Sequence, residues 1–277
     1  VSSRIHPTAI VAPGATLGAD VSIGAFALVG AHVVLGDGVV LHPHALVDGY
    51  TTLGAGAEVF SFAAVGTRPQ DLKYRGEPTT LHVGARTIVR EYATLQPGTV
   101  SQHGRGRTDV GADCLIMAYA HVAHDCLVGD RVILANAAQL AGHVVVEDGA
   151  FVGGLTGVHQ FVRVGARAMT GAQARVVKDV PPFCVADGHP AELQGLNVVG
   201  LRRAGFTPES LRALRRAYRA LFRTPGLVRE RVAAVRTSAD ASFAEVEVLC
   251  AFVEASARGV TRARRGARED ADADDAE

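Results

Sequence analysis

The stretch AYAHVAHDCLVGD, residues 118–130, holds two histidines three apart, His121 and His124, with Asp125 directly after the second. Three readings fit this group. Zinc would accept His121, His124 and a third histidine, His143. A neutral imidazole, with a pKa of about 6.5, can instead take a proton from an attacking alcohol, with Asp125 orienting the ring and favouring the imidazolium that forms. The third reading is a scaffold whose histidines are incidental. The backbone that carries them decides what they can reach.

That backbone beats in sixes. From Ile5 to Gln70 an aliphatic residue opens each of eleven successive hexads (IHPTAI, VAPGAT, LGADVS and so on), and the fifth place is usually small or β-branched. The beat breaks at DLKYRGEPTT and again over SQHGRGRTD. It then runs from Val110 to Val176, with Thr170 the only opening residue that is not aliphatic. A period of six is wrong for a helix and fits very short strands joined by tight turns. The opening residue and the small residue two places before it face inward, which gives Cys114 and Cys126 a packing role. Three hexads make one triangular coil of 18 residues, and the coils stack as a parallel β-helix of eight to nine turns.

On such a coil, residues 18 apart lie above one another, about 4.8 Å apart. His124, Gly142 and Gln160 form one column; Asp125 and His143 form the next. With His121 they gather on one outer edge. Gly142, one coil above His124, offers a backbone N–H with no side chain in the way, which suits an oxyanion hole. No Ser or Cys nucleophile is required if the acceptor attacks directly, and no cofactor is expected.

After residue 190 the texture changes. Thr207 and Pro208 open a helix with Leu211, Leu214, Tyr218, Leu221 and Phe222 on one stripe. Further helices are predicted near 226–236 and from Ser242 to Arg258, with Phe243, Val246, Leu249 and Val253 inward and Gly259 as the stop. The fold class is therefore mainly β, with repeats over 1–190, insertions near 70–82 and 101–109, a helical domain over 191–260, and a charged tail, 261–277, predicted to be disordered.

Lys and Arg number 28 and so do Asp and Glu, so net charge gives no case for nucleic acid. The charge is segregated, with fifteen arginines against six acids over 201–268. An acidic partner would suit that segment. Four cysteines without a CxxC pair point to reduced thiols in a cytoplasmic protein. The opening VSSRIHPTAIVAPGA lacks the pattern of a signal peptide, and no apolar run nears the roughly 18 residues of a membrane span.

The repeat resembles the hexapeptide-repeat acyltransferases, whose coil is left-handed; the hand comes from that resemblance alone. PQDLKYRGEPT (69–79), HVAHDC (121–126), LANAAQLAGHV (134–144), GVHQF (157–161), DVPPF (179–183) and GLNVVGLRRAGF (195–206) together resemble the UDP-N-acetylglucosamine O-acyltransferase family of lipid A synthesis. The resemblance runs from about residue 5 to 260. It implies transfer of an (R)-3-hydroxyacyl chain from acyl carrier protein to the 3-hydroxyl of UDP-N-acetylglucosamine, by a homotrimer with sites between subunits. It implies His124 as general base, Asp125 as its partner and the Gly142 amide as oxyanion donor. Gln70, Asp71, Lys73, His121, His143 and Gln160 match positions that hold substrate, and Asn197 and Arg203 match nucleotide-binding positions. Ala172, with Met169 beside it, falls where side-chain size helps set acyl length. Arg202, Arg215, Arg216, Arg219, Arg163, Arg167 and Arg175 become candidate contacts for the acidic carrier.

Some positions depart from the family pattern. Val199 stands where an acid is common, Ala204 where a second base is, and Gln96–Pro97 where a His-Arg pair is. Two other activities stay open: acylation of a 3-amino analogue of the sugar nucleotide, and a zinc lyase of the γ-type carbonic anhydrase kind.

Overall fold

A computed structural model describes residues 3–264. Between Arg4 and Val176 the chain forms 26 strands, three of four residues and the rest of two. They lie in three parallel sheets: a first face from Arg4–Ile5 to Met169–Thr170, a second from Ile10–Val11 to Arg175–Val176, and a third from Thr16–Leu17 to Arg163–Val164. Registers step by 18 in uninterrupted runs, as in Leu115↔Ile133↔Phe151↔Met169. The architecture is a left-handed parallel β-helix followed by helices.

The core follows from the hexad. Opening residues such as Val29, Leu41, Val122 and Leu140, and fifth-place residues such as Ala27, Val39 and Ala138, are buried. Cys114 and Cys126 share that interior, their thiols directed at the carbonyls of Gly129 and Ala141. Thr170 is buried too; its Oγ1 accepts from the Gly153 N–H at 2.9 Å, so the one polar opening residue is satisfied.

The fourth place of most hexads turns the corner with positive φ, for instance Asp125 at 60°, His143 at 62° and Phe161 at 63°. For an L-residue this costs about 1 kcal/mol. It is offset because the turned N–H meets the carbonyl of the turn below: His143 N–H donates to the His124 oxygen at 3.1 Å, and Phe161 N–H to the Gly142 oxygen at 3.3 Å.

Both insertions leave from the second face and return on the third. They span 66–79 and 96–106, with strands resuming at Thr80 and Arg107. They therefore begin and end a few residues before 70–82 and 101–109.

Beyond the coil, Cys184–Gly188 continues the first face, and Ala191–Leu196 pairs with it antiparallel. Residue 190 thus falls in a hairpin rather than between domains. Four α-helices follow among the described residues: α1 (Val198–Arg203), α2 (Pro208–Phe222), α3 (Val228–Arg236) and α4 (Ala244–Glu254). Thr207 caps α2 through its hydroxyl, as predicted, and Tyr218 reaches the core of the coil and helps to close its end. The short α1 was not predicted. The last helix ends four residues before Arg258, because Ser256 and Arg258 turn to Asp179 Oδ2 and the Val177 oxygen on the coil. Residues 261–264 of the predicted disordered tail are paired: Thr261 N–H donates to Asp179 O, and Arg264 N–H to Leu193 O. The remainder of that tail lies outside the described residues.

Candidate active site

The corner between the second and third faces carries, in ascending coils, the insertion 66–79, the insertion 96–106, His124–Asp125, Gly142–His143 and Gln160–Phe161. The order follows from the register Thr94↔His121↔Gln139↔Gly157 on the second face. Most predicted site residues are thereby brought to one edge.

His124 Nδ1 lies 2.8 Å from Asp125 Oδ2, and the Asp125 side chain is wholly buried. Burial pushes the Asp125 carboxyl up, but hydrogen bonds from His124, from the Thr99 hydroxyl and N–H, and from the Arg105 N–H outweigh it and hold it below its ordinary 3.8. The pair is thus an ionised acid against an imidazole nitrogen, which leaves Nε2 for chemistry.

Nε2 faces Gly142. A Cβ built there would lie 2.5 Å from His124 Cε1 and 2.6 Å from Nε2, so only glycine admits the ring. Among the described residues, the Gly142 N–H has no protein acceptor. The His143 ring stands edge-on to His124, 5.1 Å between centroids, and stacks on Phe161 at 4.5 Å. Burial lowers the pKa of His143, and burial and then the neighbouring His124 lower that of His121. Both rings are thereby biased towards the neutral form, which can accept as well as donate.

The zinc trio His121, His124 and His143 is not assembled. His121 Nδ1 is 2.7 Å from Thr94 Oγ1, and the group within reach of one ion is His124, Asp125 and His143, with ligand atoms within 4.8 Å of one another. A metal there would have to compete with the Asp125 contact for His124 Nδ1, or take Nε2.

Gln70, Asp71 and Lys73 sit on the first insertion. Asp71 contributes a small electrostatic effect at His143, and Leu72 at the tip of the insertion is 94% exposed. Lys73 is exposed, its N–H donating to Asp71 Oδ1. Gln160 is exposed one coil above Gly142. Asn197 and Arg203 are elsewhere: Asn197 caps α1, accepting from the Gly200 N–H at 3.2 Å and donating to the Arg167 oxygen at 3.0 Å, on the corner between the third and first faces. One chain does not join them to His124. An elongated groove of about 400 Å³ runs up the second face past His121, Gln139, Gly157 and Arg175. Met169 lies on the first face and Ala172 at its corner with the second; neither lines the groove. Of the candidate carrier contacts, Arg216 is held bidentately by Asp240, Arg163 by Glu147 and the Phe252 ring, and Arg167 lies over Phe206, while Arg215 and Arg175 are exposed.

The sequence reading missed Thr99, Arg105 and Thr108. Thr108 Oγ1 accepts the Asp125 N–H at 2.8 Å, because the insertion has displaced the turn whose carbonyl would otherwise do so. The signal was present: below His121 the register step is 27, nine more than 18, and subtracting the insertion places residues 96–99 under the base.

Comparisons with known proteins agree with this layout. The family model described as Udp N-acetylglucosamine O-acyltransferase, Domain 2, matches residues 179–261, and the bacterial transferase hexapeptide model matches 14–49 and 107–142. The acyl-[acyl-carrier-protein]–UDP-N-acetylglucosamine O-acyltransferases of Thiobacillus denitrificans and Burkholderia mallei are 49% and 50% identical, over 94% of this chain and 100% of theirs. The solved UDP-N-acetylglucosamine acyltransferase of Campylobacter jejuni superposes with a TM-score of 0.87 at 39% identity, covering 94% of this chain and 100% of that one. Identity at this level across the whole length of such relatives makes this chain a member of the UDP-N-acetylglucosamine O-acyltransferase family.

Proposed function

We propose that His124 is the general base of an acyl transfer from acyl carrier protein to UDP-N-acetylglucosamine, the first step of lipid A biosynthesis. The observation that carries the reading is the seating of one imidazole between a buried carboxylate on Nδ1 and the bare backbone of Gly142 against Nε2. His124 Nε2 takes the proton of the sugar 3-hydroxyl as its oxygen attacks the thioester carbon of an (R)-3-hydroxyacyl carrier. The Gly142 N–H meets the charge that develops on the carbonyl oxygen. Collapse breaks the C–S bond, and the departing thiolate takes the proton back from His124. Asp125 keeps the ring in one tautomer and favours the transient imidazolium. His121, His143, Gln160 and the loop residues Gln70, Asp71 and Lys73 position the sugar and its diphosphate, and the groove past His121 takes the acyl chain.

Asn197 and Arg203 serve the nucleotide from a second copy, since in one chain they occupy another corner. The working form is a homotrimer with sites between subunits, acting in the cytoplasm. No helix among the described residues is long and apolar enough to cross a membrane.

The test is mass spectrometry of reactions holding the protein, a mixture of 3-hydroxyacyl carrier proteins and UDP-N-acetylglucosamine, with His124→Ala alongside. A mono-acylated sugar nucleotide from the wild type alone is the expected result, and its mass reports chain length. Product from His124→Ala at the wild-type rate would remove His124 as base. No product from an intact wild-type trimer would point to a different acceptor.

A further inference from the structure

The second insertion does more than interrupt the coil. It closes on itself, with the Gly104 N–H on the Ser101 oxygen at 2.9 Å and the Gly106 N–H on the Thr99 oxygen at 3.0 Å. So folded, it turns three donors onto one carboxylate. Thr99 Oγ1 lies 2.7 Å from Asp125 Oδ2, Thr99 N 3.1 Å from the same oxygen, and Arg105 N 2.7 Å from Oδ1. Thr99 is 1% exposed, so water cannot replace its hydroxyl. Its other arm reaches the first insertion: the Gln96 side chain, 2% exposed, accepts the Gln70 N–H at 3.0 Å and donates to the Arg68 oxygen at 3.5 Å.

We infer that the insertion 96–106 is a positioning device with two separable arms, Thr99 setting the Asp125–His124 pair and Gln96 setting the loop that carries Gln70, Asp71 and Lys73. The inference rests on the reading of His124 as base. A buried carboxylate that loses a donor holds the proton it shares with His124 more tightly, so the ring is a poorer base at low pH. The other titratable groups coupled to the pair are His143, His121 and the buried Cys126, with His103 and Asp71 acting in turn on His143, while the Arg105 guanidinium is turned to Asp109 at 3.3 Å. Gln96 touches no reacting group. Its loss loosens the substrate loop and leaves the chemistry intact.

The test is steady-state kinetics of Thr99→Val, Thr99→Ser, Gln96→Ala and His124→Ala, each first shown to be folded by thermal melting. Thr99→Val is expected to lower kcat roughly tenfold, with KM for the sugar nucleotide little changed and the acid limb of kcat/KM moved to higher pH. Thr99→Ser, which keeps the hydroxyl, restores both. Gln96→Ala is expected to raise that KM roughly tenfold with kcat within about twofold. The inference is overturned if folded Thr99→Val has the wild-type kcat and pH profile, or if Gln96→Ala lowers kcat and leaves KM alone. Activity surviving in His124→Ala would instead overturn the reading of the base itself, so the two failures are told apart.

Discussion

Two corners of the coil use the same turn and end in opposite surfaces. Between the first and second faces, the positive-φ places hold Phe26, His44, Phe62, Tyr92 and Tyr119, stacked with ring centroids 5.2, 5.0, 5.2 and 4.9 Å apart. Their spacing is the rise of the coil, and all of these rings but His44 are exposed large hydrophobics. Between the second and third faces the same places hold Asp125, His143 and Phe161, with two insertions beneath. Here Asp125 is buried and its N–H has left the usual carbonyl for Thr108. Uninterrupted stacking makes a ladder open to its surroundings. Removing the turn below and filling the gap with a loop makes an enclosed polar site. The proposed chemistry lies where the repeat is broken.

The sharpest way to break this contrast is His124→Ala. A general base contributes about 10²- to 10⁴-fold, so kcat should fall by about that factor with the melting temperature unchanged; rates near wild type would make the proposed catalytic corner no different from the other. Gly142→Ala should follow, with a loss of roughly 10²-fold, because its Cβ displaces the ring. Gly157→Ala, where a Cβ meets nothing within 4 Å, should leave the fold as stable as before, read by the same melts. Asp125→Asn turns an amide towards backbone donors and should cost about 1–3 kcal/mol of stability, measured by urea unfolding at pH 7.

The pH dependence sharpens the same point. The Asp125 carboxyl is depressed on folding, so its contribution is complete above the ordinary value of 3.8 and is lost as pH falls through the lower folded value. The stability of the wild type should therefore fall below about pH 4 more steeply than that of Asp125→Asn, read by urea unfolding. Equal slopes would mean the carboxylate is not held as described. A small effect belongs to the ladder: Tyr92→Ala should cost about 1 kcal/mol and leave kcat unchanged. A larger kinetic effect there would show that the open corner also takes part in catalysis.

The sequence by itself determined the coil, its eight to nine turns, its buried columns, and the stacking of His124 under Gly142, because a rigid period of six admits only short strands joined by tight turns; the hand of the coil did not follow from the period. It also named the departure at Gln96, without saying what the side chain does. Tertiary structure alone decided the rest. The donors to Asp125 sit on an insertion outside the repeat; the column places residues 96–99 beneath the base, but only the loop's own closure aims Thr99 and Arg105 at the carboxylate. The helix α1 is only six residues and depends on the Asn197 cap and its hold on Arg167, a contact 30 residues distant in the chain. The end of α4 and the pairing of 261–264 with the coil follow from Ser256, Arg258 and Thr261 finding carbonyls and a carboxylate on a surface far away in sequence. Local periodicity fixes a repeat because every coil repeats the same bonds. Where bonds are made once, between segments brought together only by folding, the physical cause lies in the assembled shape.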